Sequence, residues 1–280
     1  AQYEGRLQGY TYAREGHPNA EALARLIDDL EGAHNGIVLG SGMAAVSAAL
    51  LGVLEAGDHI IGSDQLYGRS LRLLKEDLPR LGIEISLVDT TQADCVAAAL
   101  RPNTKMILIE AVSNPTLRVA DLTGIASWAA EKQVILAVDN TFTTPRAIRP
   151  FDFGADIVLH SVTKLLAGHS DVTLGYVAAK DLGLRDKIYT FSVTTGMTAS
   201  PFDCWLAERG LLTFPLRFDK TQATASALAK MLAQHKAVAR VLYPGQASHP
   251  DFIRAQTILG QNGCNICLLY TSPSPRDEQS

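Results

Sequence analysis

The chain has 280 residues, of which 47% are hydrophobic and 19% charged, and its formal net charge is −4. This composition allows a sizeable buried core, and the length suits one large domain and part of another. There is no basic stripe of the kind that binds nucleic acid, and no apolar run approaches the roughly 18 residues of a membrane span. We therefore expect neither a nucleic acid nor a membrane as a partner.

Cysteine usage favours a reduced, cytoplasmic compartment. The four cysteines are Cys95, Cys204, Cys264 and Cys267, and a disulfide framework is not expected in a chain of this size. Cys264 and Cys267 have the C-x-x-C spacing, but no second pair and no histidine cluster accompanies them. Because a structural zinc ion needs four ligands, we predict no metal site.

Residues 1–17 contain aromatic residues and glycines without a helical or strand period, and we interpret them as an N-terminal arm. A helix is predicted from Asn19, which suits an N-cap, because leucine and isoleucine recur at helical spacing between residues 23 and 30.

Short apolar strands then alternate with helical stretches. The predicted strands are 36–40, 59–62, 83–88, 105–109, 134–138, 157–159 and 173–179. The predicted helices among them are 43–55, 69–80, 92–100 and 121–132. The alternation and the continuous apolar strands predict an α/β fold, with a mainly parallel sheet covered by helices on both faces. We assign it to a domain at residues 18–213.

After residue 183 the pattern becomes helical, with predicted helices at 201–213 and 215–235 and a strand at 238–243. We interpret residues 214–267 as the start of a C-terminal α+β domain that is not completed. Residues 268–280 are polar and rich in proline, and we predict that they are a non-native tail.

Polar side chains follow several of the predicted strands, and in open α/β sheets ligands bind beyond the carboxyl ends of the strands. The small residues 41–44 open a helix and suit a phosphate group. The other residues in such positions are Tyr67, Asn114, Asp139, Ser161, Thr163 and Lys164. Each of them alone is better explained as a turn, cap, packing or surface residue. Pyridoxal 5′-phosphate (PLP), however, needs a lysine, an acid, phosphate donors and an aromatic ring together.

A dinucleotide site is the rival interpretation. Residues 40–45 match G-x-G-x-x-A, and Asp64 follows about 20 residues later, as in NAD-dependent Rossmann dehydrogenases. A nicotinamide cofactor, however, has no use for Lys164 or Asp139.

Seven short motifs then occur in the order and spacing of a known family. They are Tyr-Ala-Arg-Glu-Gly-His-Pro from residue 12, Ser-Gly-Met-Ala from 41, Leu-Tyr-Gly from 66, Ser-Asn-Pro-Thr from 113, Val-Asp-Asn-Thr from 138, Ser-Val-Thr-Lys from 161 and Gly-His-Ser-Asp from 168. On these motifs the chain resembles the Cys/Met-metabolism (trans-sulfuration) family of PLP-dependent enzymes, which have the fold-type-I transferase architecture. Its members include cystathionine γ-synthase, cystathionine γ-lyase, methionine γ-lyase and O-acetylhomoserine sulfhydrylase.

The resemblance implies roles for four side chains around the cofactor ring. Lys164 would form the Schiff base and then move protons, and Asp139 would hold the pyridine nitrogen protonated. Tyr67 would stack on the ring and assist proton transfer, and Asn114 would bind near the ring hydroxyl.

The resemblance also implies a phosphate site and an oligomer. The backbone amides of Gly42 and Met43, with Ser161 and Thr163, would bind the phosphate. The resemblance also implies that Tyr12 and Arg14 bind the cofactor of the neighbouring subunit, because the matching arm residues in the family reach the phosphate of that subunit's site. A homotetramer built as a dimer of dimers is therefore expected.

The expected reaction is C–S bond lysis or γ-replacement on cystathionine or an O-acylhomoserine. Arg69 stands where methionine γ-lyases typically have cysteine, and the Tyr67-Gly68 pair suits γ-type enzymes better than bacterial cystathionine β-lyases. Val162 and Leu165, on either side of Thr-Lys, depart from the family pattern. The family's arginine for the substrate carboxylate has no counterpart within the chain.

Overall fold

The computed structural model describes residues 9–259 and the backbone of residues 268–271. Seven strands form its main sheet: β1 (Ile37–Leu39), β2 (His59–Ser63), β3 (Glu84–Val88), β4 (Thr104–Glu110), β5 (Ile135–Asp139), β6 (Ile157–Ser161) and β7 (Gly175–Ala179). Their order across the sheet is β1-β7-β6-β5-β4-β2-β3. Strand β7 is antiparallel to both of its neighbours, and the other strand pairs are parallel. The mainly parallel sheet is confirmed.

Ten α-helices accompany the sheet within the described residues. They are α1 (Pro18–Glu31), α2 (Gly42–Leu51), α3 (Gly68–Arg72), α4 (Ala93–Ala99), α5 (Leu122–Lys132), α6 (Thr144–Ala147), α7 (Leu182–Thr194), α8 (Pro201–Leu211), α9 (Phe214–Leu232) and α10 (Phe252–Ile258). Short turns of π or 3₁₀ helix lie at Leu73–Asp77, Leu78–Leu81 and Pro150–Phe153.

Both faces of the sheet are covered, as predicted, because side chains alternate along each strand. On one face Ile107, Leu136 and Val158 pack with residues of α4 and α5. On the other face Met106 and Leu159 pack with α2. A third cluster joins α1, α8 and α9 to β1 and β7. The sheet is therefore the central layer of the molecule.

One helical prediction was wrong, and three helices of the described residues, α6, α7 and α10, were not predicted. The single helix predicted over 69–80 is broken into α3, a π turn and a 3₁₀ turn. Pro79 lies in the last of these, and proline cannot continue an α-helix. Helix α7 was not predicted at all, since only Ile188 and Ser192 of its thirteen residues are buried and the apolar stripe is correspondingly weak.

The chain beyond α8 packs on the first domain. Buried residues of α9, β8 (Val238–Leu242) and α10 join the cluster around α5. Strand β8 pairs antiparallel with β9 (Leu268–Thr271), which lies where the tail was predicted to begin. Residues 272–280 lie outside the described residues, as do residues 1–8 and the C-x-x-C cysteines. The domain boundaries and the non-native origin of the tail stay predictions.

Candidate active site

A cavity of about 310 Å³ opens at the carboxyl ends of the parallel strands. Five segments line it: the start of α2, the turn after β2, and the ends of β4, β5 and β6 with the loops that follow. Eight of the ten residues predicted from the sequence lie in its wall: Gly42, Met43, Tyr67, Asn114, Asp139, Ser161, Thr163 and Lys164. The topology of the sheet therefore brings together residues that are up to 122 positions apart in sequence.

The first turn of α2 forms one end of the cavity. Ser41 caps the helix, since its hydroxyl accepts a hydrogen bond from the Ala44 N–H at 3.0 Å. A Cβ atom on Gly42 would lie 2.7 Å from Ser161 Cβ and 2.9 Å from Ser161 Oγ. The free N–H groups of the helix N-terminus therefore lie directly against the end of β6, an arrangement that suits an anion.

The lysine turn follows β6 directly. The Lys164 N–H donates to the Ser161 carbonyl at 3.1 Å, and the Ser161 N–H donates to Thr141 Oγ1 at 2.8 Å. The Thr163 hydroxyl donates to the Leu174 carbonyl at 3.1 Å and accepts from the Leu174 N–H at 3.0 Å. Because this hydroxyl is engaged with the backbone, the phosphate role predicted for Thr163 is less directly supported than that for Ser161. Both roles stay predictions.

Asp139 ends β5 inside the cavity, and the Thr141 N–H donates to its Oδ1 atom at 2.9 Å. Burial raises the pKa of Asp139. The hydrogen bonds from Thr141 and the electrostatic effect of His160 oppose this increase only in part. A cation bound against the carboxylate would stabilise its charged form.

Glu110 ends β4 as Asp139 ends β5, and no role was predicted for Glu110 from its sequence context. Its side chain is buried, and its two oxygens accept hydrogen bonds from the Tyr67 N–H at 2.6 Å and the Asn114 N–H at 2.9 Å. Burial and then the charge of Asp139 raise the pKa of Glu110 to about 8, although both N–H groups favour the ionised form. The rule that singled out Asp139, a carboxylate at the end of an apolar strand, could have found Glu110 as well.

A second buried pair lies behind Asp139. His160 Nε2 forms a short hydrogen bond to Glu31 of α1, and the same Glu31 oxygen accepts from Asn140 Nδ2 at 2.8 Å. Glu31 and His160 are both almost inaccessible to solvent. No sequence signal linked Glu31 to the site, because α1 is more than 100 residues away from β6 along the chain.

The two predicted arm residues lie outside this cavity. The Arg14 guanidinium sits 5.2 Å from the centroid of the Tyr12 ring and donates to the Val193 carbonyl at 2.8 Å. Neither side chain therefore contributes to the site of its own protomer. Their predicted contact with a neighbouring subunit stays a prediction.

The dehydrogenase alternative is wrong. A Rossmann site needs the glycine turn after one strand and the acid after the adjacent strand. In this sheet four strands separate β1, which precedes the glycine turn, from β2, which precedes Asp64. The glycine turn at residues 40–45 and Asp64 therefore lie at different places along the sheet edge.

Over residues 9–259 no three side chains of His, Cys, Asp or Glu are grouped closely enough to hold a metal ion. Within the same part of the chain, none of the helices has the length and apolar character needed to cross a bilayer.

The donor set of the cavity fits PLP: a lysine amine, a buried carboxylate, a tyrosine ring and a helix N-terminus beside a serine hydroxyl. Together with the seven-stranded sheet, this donor set is typical of the cofactor site of PLP-dependent proteins of the α/β class. The model of the family described as Cys/Met metabolism PLP-dependent enzyme matches residues 1–271. The chain belongs to this family, and the predicted cofactor is the cofactor of the family.

Individual relatives include lyases of both reaction types. The chain is 45% identical over 241 residues to cystathionine β-lyase MetC of Bacillus subtilis, covering 86% of this chain and 62% of the relative. It is 42% identical over 253 residues to cystathionine γ-lyase of the same organism, covering 90% and 66%. The crystal structure of cystathionine γ-lyase from Lactobacillus plantarum complexed with L-serine matches with a TM-score of 0.92 and 35% identity, covering 96% of this chain and 70% of that one.

The chain thus spans less than two thirds of the length of both Bacillus relatives. The similarity to a bacterial cystathionine β-lyase does not support the expectation that Tyr67-Gly68 separates the chain from such enzymes.

Proposed function

We propose that the chain is the cofactor-binding part of a PLP-dependent enzyme that breaks a C–S bond in a cystathionine-like amino acid, or replaces the γ-substituent of an O-acylhomoserine. The observation that carries this proposal is the shared cavity, in which eight residues chosen from sequence motifs line one volume of about 310 Å³. When bound, PLP supplies an electron sink for negative charge that develops beside the amino group of a substrate.

The chain's own residues would hold and orient that group. The N–H groups of Gly42 and Met43 would bind the phosphate, because they form the positive end of α2. The Ser161 hydroxyl, which lies against this end of the helix, would donate to the same group. Asp139 would pair with the ring nitrogen, and this pairing would stabilise a carboxylate whose burial otherwise disfavours its charge.

Two side chains are left for the chemistry at the substrate. Lys164 would bind the cofactor covalently and, once released, move a proton at the substrate Cα atom. Tyr67 would lie on the ring and accept a proton from the incoming amine. Tyr67 is 45% exposed, as a residue at the open mouth of a site must be if it is to meet substrate.

The reaction branch and the assembly are also proposals. β-Lysis of cystathionine with water yields pyruvate, ammonia and homocysteine, whereas γ-lysis with water yields 2-oxobutyrate, ammonia and cysteine, so the products separate the two lyases. γ-Replacement would be the reaction of a γ-synthase, and a methionine γ-lyase and an O-acetylhomoserine sulfhydrylase are the alternatives within the family. A cytoplasmic homotetramer, with Tyr12 and Arg14 reaching the neighbouring subunit, would account for the position of these two side chains outside the cavity of their own protomer.

The test is covalent attachment of the cofactor by the full-length protein. After borohydride reduction, mass spectrometry should find the PLP adduct on Lys164, and Lys164→Ala should lose both the adduct and the visible absorbance. Lys180→Ala, which removes an exposed lysine at the far end of β7, should retain both. A wild-type protein without an adduct would contradict the proposal. Incubation with cystathionine, or with O-acylhomoserine and a thiol, then distinguishes the branches.

A further inference from the structure

Glu110 joins two loops that both border the cavity. Tyr67 lies in the turn between β2 and α3, and Asn114 lies in the loop after β4. The Glu110 carboxylate accepts one backbone N–H from each, at 2.6 Å and 2.9 Å. Glu110 is buried, with 6% of its surface exposed, and both of its oxygens are used by these two loops. One carboxylate therefore sets the distance between the two loops.

Glu110 is also the neighbour of Asp139. The two residues are register partners on the parallel strands β4 and β5, and neighbouring strands lie about 4.8 Å apart. Leu108 and Ala137 lie two positions before Glu110 and Asp139, and both pack in the cluster around α2. Because side chains alternate along a strand, the two carboxylates lie on this same face of the sheet. Like charges at this distance oppose the ionisation of both groups, which is consistent with the raised pKa of about 8 for Glu110.

We propose that Glu110 is a positioning residue that holds the Tyr67 and Asn114 backbones in place and that releases its proton to solvent when the cationic ring of the cofactor binds beside Asp139. This inference rests on the proposed binding of PLP in the cavity. The other titratable side chains that line the cavity are Tyr67, His160 and Lys164. Within residues 9–259 none of these three side chains forms a hydrogen bond with Glu110.

The physical reason is the balance of charges around Asp139. A cation against Asp139 offsets its negative charge, so ionised Glu110 is no longer repelled as strongly and its proton affinity falls. The ionised carboxylate is then the better acceptor for both N–H groups. Binding of the cofactor would therefore tighten the contacts that fix Tyr67 and Asn114, the two residues proposed to contact its ring.

The proton release is tested by the pH dependence of cofactor affinity. Full-length wild-type and Glu110→Gln holoenzymes are dialysed against graded PLP concentrations between pH 6 and pH 9, and bound cofactor is measured by its absorbance. The ratio of wild-type affinity to Glu110→Gln affinity should rise by about threefold or more between pH 6.5 and pH 8.5. Release of one proton can change the affinity by at most about tenfold per pH unit. Glu131→Gln, which removes an exposed carboxylate on α5, should follow the wild type.

The failure of this inference is distinct from the failure of the proposed function. Parallel affinity profiles for wild type and Glu110→Gln would overturn the proton release by Glu110 while leaving PLP binding intact. A wild type that binds no PLP at any pH would overturn the proposed function and the proton release together.

The positioning role is tested by amide hydrogen exchange, which does not depend on activity. Glu110→Asp is shorter by one methylene group, so at least one of the two N–H bonds should be lost and exchange at Tyr67 or Asn114 should quicken by about fivefold or more. In the wild type alone, PLP binding at pH 7 should slow exchange at both amides. Unchanged exchange on PLP binding would overturn the positioning role even where a variant fails to fold.

Discussion

Gly42 lies where the first turn of α2 meets the end of β6. A Cβ atom there would lie 2.7 Å from Ser161 Cβ and 3.0 Å from Ser161 Cα, so the contact is partly with backbone. Since backbone cannot move aside as a flexible side chain can, only glycine allows the N–H groups of α2 to approach the serine so closely. The phosphate site depends on this approach.

We expect Gly42→Ala to weaken PLP binding by about tenfold or more, equivalent to about 1.4 kcal/mol, because α2 and β6 must separate. Overpacking of this kind also lowers the free energy of unfolding by about 1–3 kcal/mol. Equilibrium dialysis and urea unfolding measure the two effects. Gly68→Ala is the matched control, since no atom lies within 4 Å of its added Cβ, and it should change neither value by more than about 0.5 kcal/mol. Wild-type affinity in Gly42→Ala would contradict the close-approach argument.

The site residues that could be predicted from the sequence are those that directly follow a strand end. Apolar runs mark the strands, so the positions of Asp139 and Lys164 at one edge of the sheet were accessible without a structure. The role of Glu110 was not, because it depends on the Tyr67 N–H, 43 residues away. The same limit applies to Glu31, which meets His160 only after α1 has packed on the sheet. Local patterns identify which residues reach an edge but not which ones contact one another there.

At the scale of elements, α9 holds the loop that carries Lys164. Arg217, in the first turn of α9, donates to the carbonyls of Leu165 at 2.6 Å, Leu166 at 2.9 Å and Gly210 at 2.8 Å. The guanidinium lies so close to Gly168 that a Cβ atom there would be 1.7 Å from Arg217 Nη1. The lysine turn is therefore fixed from β6 on one side and from α9 on the other.

The link between α9 and the lysine loop predicts the effect of Arg217→Ala. Three carbonyls lose a charged donor, so we expect the free energy of unfolding to fall by about 2–3 kcal/mol and PLP to dissociate faster because the Lys164 turn is less ordered. Thermal unfolding and the rate of cofactor loss into a PLP-free buffer measure these effects. Arg209→Ala, on the exposed side of α8, is the control and should match the wild type. Equal rates of cofactor loss in Arg217→Ala would show that α9 does not order the turn.

At the scale of the whole molecule, two arginine–aspartate pairs with two short contacts each join the first domain to the chain beyond α8 within residues 9–259. Arg118 binds Asp251 through Nε at 2.6 Å and Nη2 at 3.1 Å, and the Val119 N–H donates to the same carboxylate at 2.9 Å. Arg146 of α6 binds Asp219 of α9 with distances of 3.1 Å and 3.0 Å. The geometries are alike, but the environments differ: Asp251 is 6% exposed at its side chain and Asp219 53%.

Burial raises the pKa of Asp251, but the hydrogen bonds from Arg118 and the Val119 N–H and the charge of Arg118 outweigh it, and the net pKa lies below its ordinary value. A carboxyl group whose pKa is lowered on folding stabilises the fold above its unfolded-state pKa. That contribution is lost as pH falls through the lowered value. The contribution of the Asp251 pair should therefore be complete at neutral pH and should disappear only in acid, below the ordinary pKa of 3.8.

We therefore expect Asp251→Asn to lower the free energy of unfolding at pH 7 by about 2–3 kcal/mol, because it leaves a half-buried guanidinium with a weaker partner. Asp219→Asn should cost less than about 1 kcal/mol, as exposed pairs do. Urea unfolding from pH 7 to pH 3, combined with the Arg118→Met and Arg146→Met double-mutant cycles, isolates each pair.

Because Arg118 lies four residues after Asn114, Asp251→Asn should also weaken PLP binding, whereas Asp219→Asn should not. Equal costs for the two substitutions would show that burial does not distinguish the pairs.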